Sequence, residues 1–267
     1  MQAQTLALIV NDPLLMPCVA AHMAPAIELL DPGEAAAVGI GRFERGDPLV
    51  AKVRPPMSAE TLSVLQRTQG HLAIVSAISG ANAALHPYDS QPFRYRNWLF
   101  AMAGRIRTLD RPLDNRLAIP SYIESNIHGA TAGEVLFHQF LAYLHRQGQL
   151  AGERLDMSPL RKALSSALSH GNIWFGQEGA NNSMILSDGR VLLGAALERP
   201  VYVANIEGID QCLSCGGDVD GNPVAHPHVR GVAVLDTDGM PSAQWQTVAP
   251  GRIFQVDRDL QFESFPA

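Results

Sequence analysis

Apolar runs of strand length are concentrated towards the two ends of the chain, and the strongest helical periodicity lies between them. Runs of about four to eight apolar or alternating residues predict β-strands. The predicted strands are Thr5–Val10, Val38–Phe43, Leu49–Val53, Leu72–Ile78, Trp98–Ala101, Met184–Leu186, Val191–Ala196, Pro200–Asn205, Gly231–Leu235 and Ile253–Val256. The sequence Ser187-Asp188-Gly189 predicts a hairpin turn between two of these strands.

Three segments have the start signals of helices. Ser58 is predicted to cap a helix that runs to about Thr68. Thr131 and Glu134 have the spacing of a capping box and open a second helix. A third begins at Ser158-Pro159 and is predicted to end before Gly171. Strands before and after these helices do not suit a βαβ fold. They predict an α+β fold of stacked antiparallel sheets with helices on both outer sides, with residues 1–267 in a single domain.

Composition limits the possible partners and compartments. The 267 residues carry a net charge of −6 without a cluster of Lys and Arg, which argues against a nucleic-acid surface. The apolar run Leu6–Val10 is too short to cross a bilayer, and no signal peptide is visible at the start. The three cysteines are an odd number and do not predict a disulfide framework. We therefore expect a cytoplasmic protein that contacts neither membrane nor nucleic acid.

The middle of the sequence contains the most specific motif. Asp89-Ser90-Gln91-Pro92-Phe93 is followed by Asn97-Trp98-Leu99-Phe100-Ala101-Met102-Ala103-Gly104. Together they resemble the stretch N-x-H-P-F, then N-W-x-x-x-H-N-G, of the class II glutamine amidotransferases. Further segments resemble that family's G-W-G-I, T-D-S-E, L-L-S-D-G and W-x-x-[ILV]-x-P-G motifs in the same order: Val38–Ile40, Thr131–Glu134, Met184–Gly189 and Trp245–Gly251. The resemblance implies a four-layer αββα sandwich of the N-terminal-nucleophile hydrolase type.

The catalytic positions implied by this resemblance hold unsuitable residues. The family's nucleophilic cysteine falls at Gln2 or Ala3, and the arginine that binds the substrate carboxylate falls at Ser79. The oxyanion pair N-G falls at Ala103-Gly104, which leaves only a backbone donor, and the acid that holds the substrate amine falls at Ala132. A hydroxyl cannot replace a bidentate guanidinium, and losing one oxyanion donor costs about 3–4 kcal/mol in the barrier.

We therefore predict that none of these positions is catalytic and that the protein acts by binding rather than by catalysis. The expected role is a binding or scaffold subunit of a larger enzyme assembly or a homo-oligomer. Alternatives from other classes are an active amidotransferase or amidohydrolase with a rearranged site, and a metal-binding or ligand-sensing protein on the same fold. No cofactor is expected, with zinc as the possible exception.

That exception comes from a second constellation near the end of the chain. Cys212 and Cys215 form a CxxC motif, and His226 and His228 follow it. Three interpretations stay open: a surface loop with reduced thiols, a redox dithiol, and a zinc-like site made by both cysteines with one or both histidines. Cys18 lies in an apolar run and is interpreted as a small buried hydrophobic residue.

Overall fold

Two antiparallel sheets lie face to face in the computed structural model, which describes residues 1–30, 35–53, 57–80, 87–106, 108–109, 119–150, 157–175, 182–217, 221–239 and 241–267. The strands of the first sheet are β1 (Gln2–Val10), β2 (Ala35–Glu44), β3 (Asp47–Val53), β4 (Leu72–Ser79), β9 (Val201–Ile209), β10 (His226–Asp236) and β11 (Gln246–Val248). Their order is β3-β2-β4-β1-β10-β9-β11.

The second sheet contains the remaining strands in the order β5-β6-β7-β8-β12-β13. They are β5 (Phe93–Tyr95), β6 (Trp98–Arg105), β7 (Asn182–Ser187), β8 (Leu192–Ala196), β12 (Arg252–Val256) and β13 (Phe262–Pro266). The two sheets are joined at one point, where Gln2 and Ala3 of β1 pair with Arg105 and Gly104 of β6. The start of β1 therefore lies between β4 of one sheet and β6 of the other.

Helices cover the outer face of each sheet. They are α1 (Met16–His22), α2 (Ala24–Leu29), α3 (Met57–Leu65), α4 (Ser121–Glu124), α5 (Ala132–Arg146) and α6 (Met157–Phe175). Leu6, Leu8 and Val10 of β1 pack with α1 and α2, because alternate residues of a strand face opposite sides. Ala7 and Ile9 instead face the core between the sheets. A third core, around Phe100 and Phe137, joins the second sheet to the longer helices.

This arrangement confirms the predicted αββα layers, and the differences concern boundaries. Helix α3 begins at Met57, so Ser58 lies in its first turn rather than at the cap. Helix α6 continues through Gly171 to Phe175. An interior glycine costs a helix only about 1 kcal/mol relative to alanine, which a long helix can tolerate. Strand β6 extends beyond Ala101 to Arg105 because it remains paired with β7.

Within the described ranges, no helix has both the length and the apolar character needed to span a bilayer.

Candidate functional site

The start of β1 brings together most of the positions that the family resemblance singles out. Gln2 is paired with Ser79 on one side and with Arg105 on the other. Ala3 is paired with Ile78 and with Gly104, and Ala103 precedes Gly104 in β6. The predicted nucleophile, carboxylate and oxyanion positions thus meet where the two sheets join.

The side chains at the nucleophile positions point into two different environments. Ala3 is fully buried and packs with Ile78 and Ile106 in a small apolar cluster. Gln2 is half-buried, and its Nε2 donates a hydrogen bond to Oδ1 of Asp238 at 3.5 Å. An alanine methyl has no reactive group, and a primary amide is not a nucleophile.

The two predicted substrate anchors have structural surroundings. The Ser79 hydroxyl donates to the carbonyl oxygen of Gln2 at 3.5 Å, within the same strand pair. Ala132 is the first residue of α5 and is buried. The next residue, Gly133, lies against β6, because a Cβ built there would be 3.2 Å from the Met102 sulfur. The start of α5 therefore lies beside the strand that leads to Gly104.

The family-like motif around Asp89 holds the scaffold together. Asp89 accepts a hydrogen bond from the backbone N–H of Ala130 at 2.7 Å. The side-chain oxygen of Gln91 accepts from the backbone N–H of Met102. The Gln91 carbonyl passes so close to β2 that a Cβ on Gly39 would lie 1.7 Å from its oxygen. This close approach explains the glycine at position 39. Gln91 also links β2 to β6, because its side chain accepts the bond from Met102 of β6.

The start of α5 differs in detail from a reciprocal capping box. Thr131 is the N-cap, and its hydroxyl accepts from the N–H of Glu134 at 3.4 Å. The Glu134 carboxylate accepts from the N–H of His128 at 3.0 Å and of Gly129 at 2.7 Å instead of from Thr131. Burial raises the pKa of Glu134, and these two backbone donors partly offset that effect. The residue therefore orders the preceding loop.

A charged cavity of about 450 Å³ opens beside Gln2. Its walls include Gln2, Arg105, Arg199, Tyr202 and Asp238. Arg199 forms ion pairs with the exposed Asp238 at 2.9 Å and with Asp236, whose side chain is fully buried, at 2.8 Å. Burial raises the pKa of Asp236 to about 6, although Arg199 acts in the opposite direction. No sequence motif marks this group, because its members come from segments far apart in the chain.

A second cluster lies on the helix-covered face of the first sheet. Cys18 comes from α1, Cys212 and Cys215 from the connection between β9 and β10, and His226 is the first residue of β10. The Cys18 and Cys215 sulfurs are 3.5 Å apart, and the Cys215 sulfur is 3.3 Å from Nε2 of His226. All four potential ligand atoms lie within 4.8 Å of one another.

The cluster differs from the predicted set by two residues. It includes Cys18, which the sequence analysis interprets only as a small buried hydrophobic residue, and it does not include His228. His228 is exposed, and its carbonyl oxygen accepts from the side chain of Asn11 at 3.1 Å. Cys18 and Cys212 are buried, whereas Cys215 is exposed and His226 is half-buried.

The CxxC turn directs backbone donors at its first sulfur. Burial of Cys212 raises the pKa of its thiol. The N–H groups of Cys215 and Ser214, together with the neighbouring thiols, outweigh this and leave the pKa lowered. Burial raises the pKa of the Cys18 thiol. Cys212 is thus the position where a thiolate is best supported.

Comparison with known proteins identifies the fold. A class II glutamine aminotransferase domain protein from Silicibacter pomeroyi superposes with a TM-score of 0.59 at 17% identity, covering 98% of each chain. A predicted glutamine amidotransferase from Pseudomonas aeruginosa gives 0.55 at 15% identity over 100% of both chains. The glutamine phosphoribosylpyrophosphate amidotransferase of B. subtilis gives 0.54 at 13%, with 98% of this chain matching 49% of that one.

No protein-family model matches the sequence, and a search of curated proteins also finds no match. The structural likeness nevertheless extends over the whole chain, and the matching structures are described as a class II domain protein and as glutamine amidotransferases. The chain therefore has the class II glutamine amidotransferase fold, as the sequence motifs predicted.

Proposed function

We propose that this chain is a non-catalytic protein with the class II glutamine amidotransferase fold that acts by binding, as a subunit of a larger assembly. One observation carries the proposal. The β1–β6 junction joins the positions of nucleophile and oxyanion hole, and there Ala3 is fully buried against Ile78 and Ile106. A cysteine side chain at position 3 would enter an apolar cluster and would have no access to substrate.

The other positions support the same conclusion. Gln2 and Ser79 hydrogen-bond within the fold, and Ala132 is buried at a helix start. At the positions matched to the family's anchors, Ser79 and Ala132, glutamine would find neither a guanidinium for its carboxylate nor a carboxylate for its amine. Burying such charges without partners costs several kcal/mol. By contrast, Asp89, Gln91 and Glu134 keep polar contacts that hold strands and loops together.

A second candidate function is a ligand sensor on the same fold, and the charged cavity favours it. Arg105 is exposed at its wall, and no side chain within the described residues forms an ion pair with its guanidinium. Arg199 and Asp238 add charges of both signs. This combination suits a small carboxylate that also carries a hydrogen-bond donor. Thermal-shift screening against small carboxylates tests it, with Arg105→Ala as the variant that should abolish any stabilisation.

Glutamine turnover and glutamine binding test the main proposal directly. Glutamate release from the purified chain should equal a no-enzyme blank, and calorimetry should detect no glutamine binding in the micromolar range. Turnover that survives repeated purification, at a constant ratio to protein, would overturn it.

The subunit role needs a separate experiment. The native protein, isolated from its own cells and passed through gel filtration, should elute with a stoichiometric partner at a mass above 28.8 kDa. Elution of the native protein as a free monomer under gentle, low-salt conditions would contradict the assembly role while leaving the lack of activity intact.

A further inference from the structure

We infer that Cys18, Cys212, Cys215 and His226 form a closed structural zinc site that fastens helix α1 to the connection between β9 and β10. The site is independent of the proposed function. It lies beyond the Val10 end of β1, whereas the degenerate catalytic positions lie at Gln2. Because a strand rises about 3.3 Å per residue, the two ends of β1 are roughly 25 Å apart.

The spacing of the four side chains suits one tetrahedral ion. With Zn–S near 2.3 Å and Zn–N near 2.0 Å, ligand atoms in a tetrahedral shell lie about 3.5–3.8 Å from one another. The distance is 3.5 Å between the sulfurs of Cys18 and Cys215, and 3.3 Å between the Cys215 sulfur and the His226 ring. The remaining separations stay under 4.8 Å. Side-chain movements of about 1 Å or less, which lengthen the short separations and shorten any above 3.8 Å, would complete the shell.

The donor set selects the metal and its role. Three thiolates and one neutral imidazole are soft and borderline ligands, which favour zinc over magnesium or calcium. Four protein ligands leave no open position for water or substrate, so the site is structural rather than hydrolytic. The Cys212 sulfur also accepts hydrogen bonds from the backbone N–H groups of Cys215 and Ser214. Donors of this kind stabilise a bound thiolate as outer-shell partners.

The surrounding backbone positions the ligands before any ion binds. Asn11, just after β1, donates to the carbonyl of His228 at 3.1 Å and accepts from the N–H of Arg230 at 2.9 Å. This holds the segment leading into α1 against the start of β10. Within the connection itself, the N–H of Cys212 donates to the carbonyl of Val224 at 2.8 Å. The fold therefore brings Cys18 to the CxxC turn across 197 positions of sequence, counted to Cys215.

A disulfide explains the cluster less completely. Joining Cys18 to Cys215 would use two of the three sulfurs and would leave Cys212 and His226 without a reason to converge. A single ion accounts for all four side chains.

The test measures metal in the full chain, expressed without a histidine tag and purified under reducing conditions. Elemental analysis should find about one zinc per chain, and the three thiols should resist alkylation until a strong chelator is added. Replacement of zinc by cobalt(II) should give the visible bands of a tetrahedral site with three thiolates. A chelator should lower the melting temperature of this protein.

The variants separate the four-ligand site from a CxxC turn acting alone. Cys18→Ser and His226→Gln should each weaken zinc at least about 100-fold in chelator competition, beyond what loss of an outer-shell partner causes. Cys18→Ser should also reduce the thiolate-to-cobalt band by about a third. His228→Gln is the matched control and should bind zinc like the unaltered protein. Circular dichroism confirms that each variant is folded.

Three results would overturn the site. The first is reduced protein that contains less than a tenth of an equivalent of zinc and does not take up added zinc. The second is a cobalt spectrum that Cys18→Ser leaves unchanged. The third is a disulfide among these cysteines in protein purified and analysed under reducing conditions.

Discussion

Helix α5 contains a buried histidine whose titration should make stability depend on pH. His138 is 1% exposed, lies among the rings of Tyr95 and Phe137, and shares a hydrogen bond of 2.8 Å between its Nδ1 and the Glu134 carbonyl. Burial lowers the pKa of His138 from 6.5 to about 4. The imidazole is therefore neutral in the folded protein over a range where it is protonated in the unfolded chain.

The sign and size of the effect follow from linkage. Below pH 6.5 the unfolded chain binds a proton that the folded protein does not bind until about pH 4. Stability from this group is thus complete above pH 6.5 and decreases as the pH falls, by about 1.4 kcal/mol per unit. Between pH 7.5 and pH 5 the loss amounts to about 2 kcal/mol, and the full loss by pH 4 is about 3 kcal/mol.

Asp236 acts in the opposite direction over the same range. Its pKa is raised to about 6 by burial, so the folded protein binds a proton more readily than the unfolded chain and gains stability as the pH falls. The profile of the unaltered protein alone therefore combines two opposing effects. The informative quantity is the difference in unfolding free energy between the unaltered protein and His138→Leu.

Urea unfolding at constant ionic strength, from pH 7.5 to pH 5, measures this difference. Across that range the unfolding free energy of the unaltered protein should fall by about 2 kcal/mol relative to that of His138→Leu. Gln139→Leu is the matched control, since Gln139 is buried on the same helix and has no titratable group. Its difference should stay constant. A difference for His138→Leu that changes by less than about 0.5 kcal/mol would refute the linkage argument.

Three further outcomes test the fold and the positions matched to the family's catalytic residues. Gly39→Ala should destabilise the protein by about 3 kcal/mol or more in urea unfolding, because its Cβ would lie 1.7 Å from the Gln91 carbonyl oxygen. A loss below about 1 kcal/mol would mean that β2 and the Gln91 backbone separate easily. Arg199→Ala should lower the unfolding free energy by about 3–5 kcal/mol at pH 7.5, and by less at pH 5, where Asp236 is protonated. Removing the exposed Asp238 should lower it by about 1 kcal/mol or less. Equal losses would contradict the argument from the burial of Asp236. Ala3→Cys should leave glutamate release at the level of the blank, and measurable turnover would show that the apolar cluster around Ile78 admits substrate.

The layers of the fold could be predicted from the sequence because they depend on local periodicity. The apolar runs of β1 and β2 indicate buried strands and the spacing after Thr131 indicates a helix, and each pattern lies within about a dozen residues. The element boundaries depend also on packing between distant segments. Gly171 did not end α6, because a glycine is a weak obstacle once the helix is anchored by packing along its length.

The positions matched to the family's active site illustrate how much a motif can predict. The resemblance located Gln2, Ser79 and Gly104, and strand pairing places these residues together. The sequence could not show that Ala3 faces an apolar cluster while Gln2 faces a charged cavity, because that depends on which sheet each side of β1 meets.

The cysteine cluster marks the same limit most clearly. The CxxC motif and His226 follow one another closely, so their spacing alone suggested shared ligation. Cys18 lies nearly two hundred residues earlier in an apolar helix, and no local pattern connects it to them. The Cys18 sulfur meets Cys215 only because α1 packs on the first sheet, and His228 is exposed only because of the path of β10. Sequence determines the chemistry that each residue can offer, whereas tertiary packing decides which residues meet, because contact between distant segments depends on the folding of everything between them.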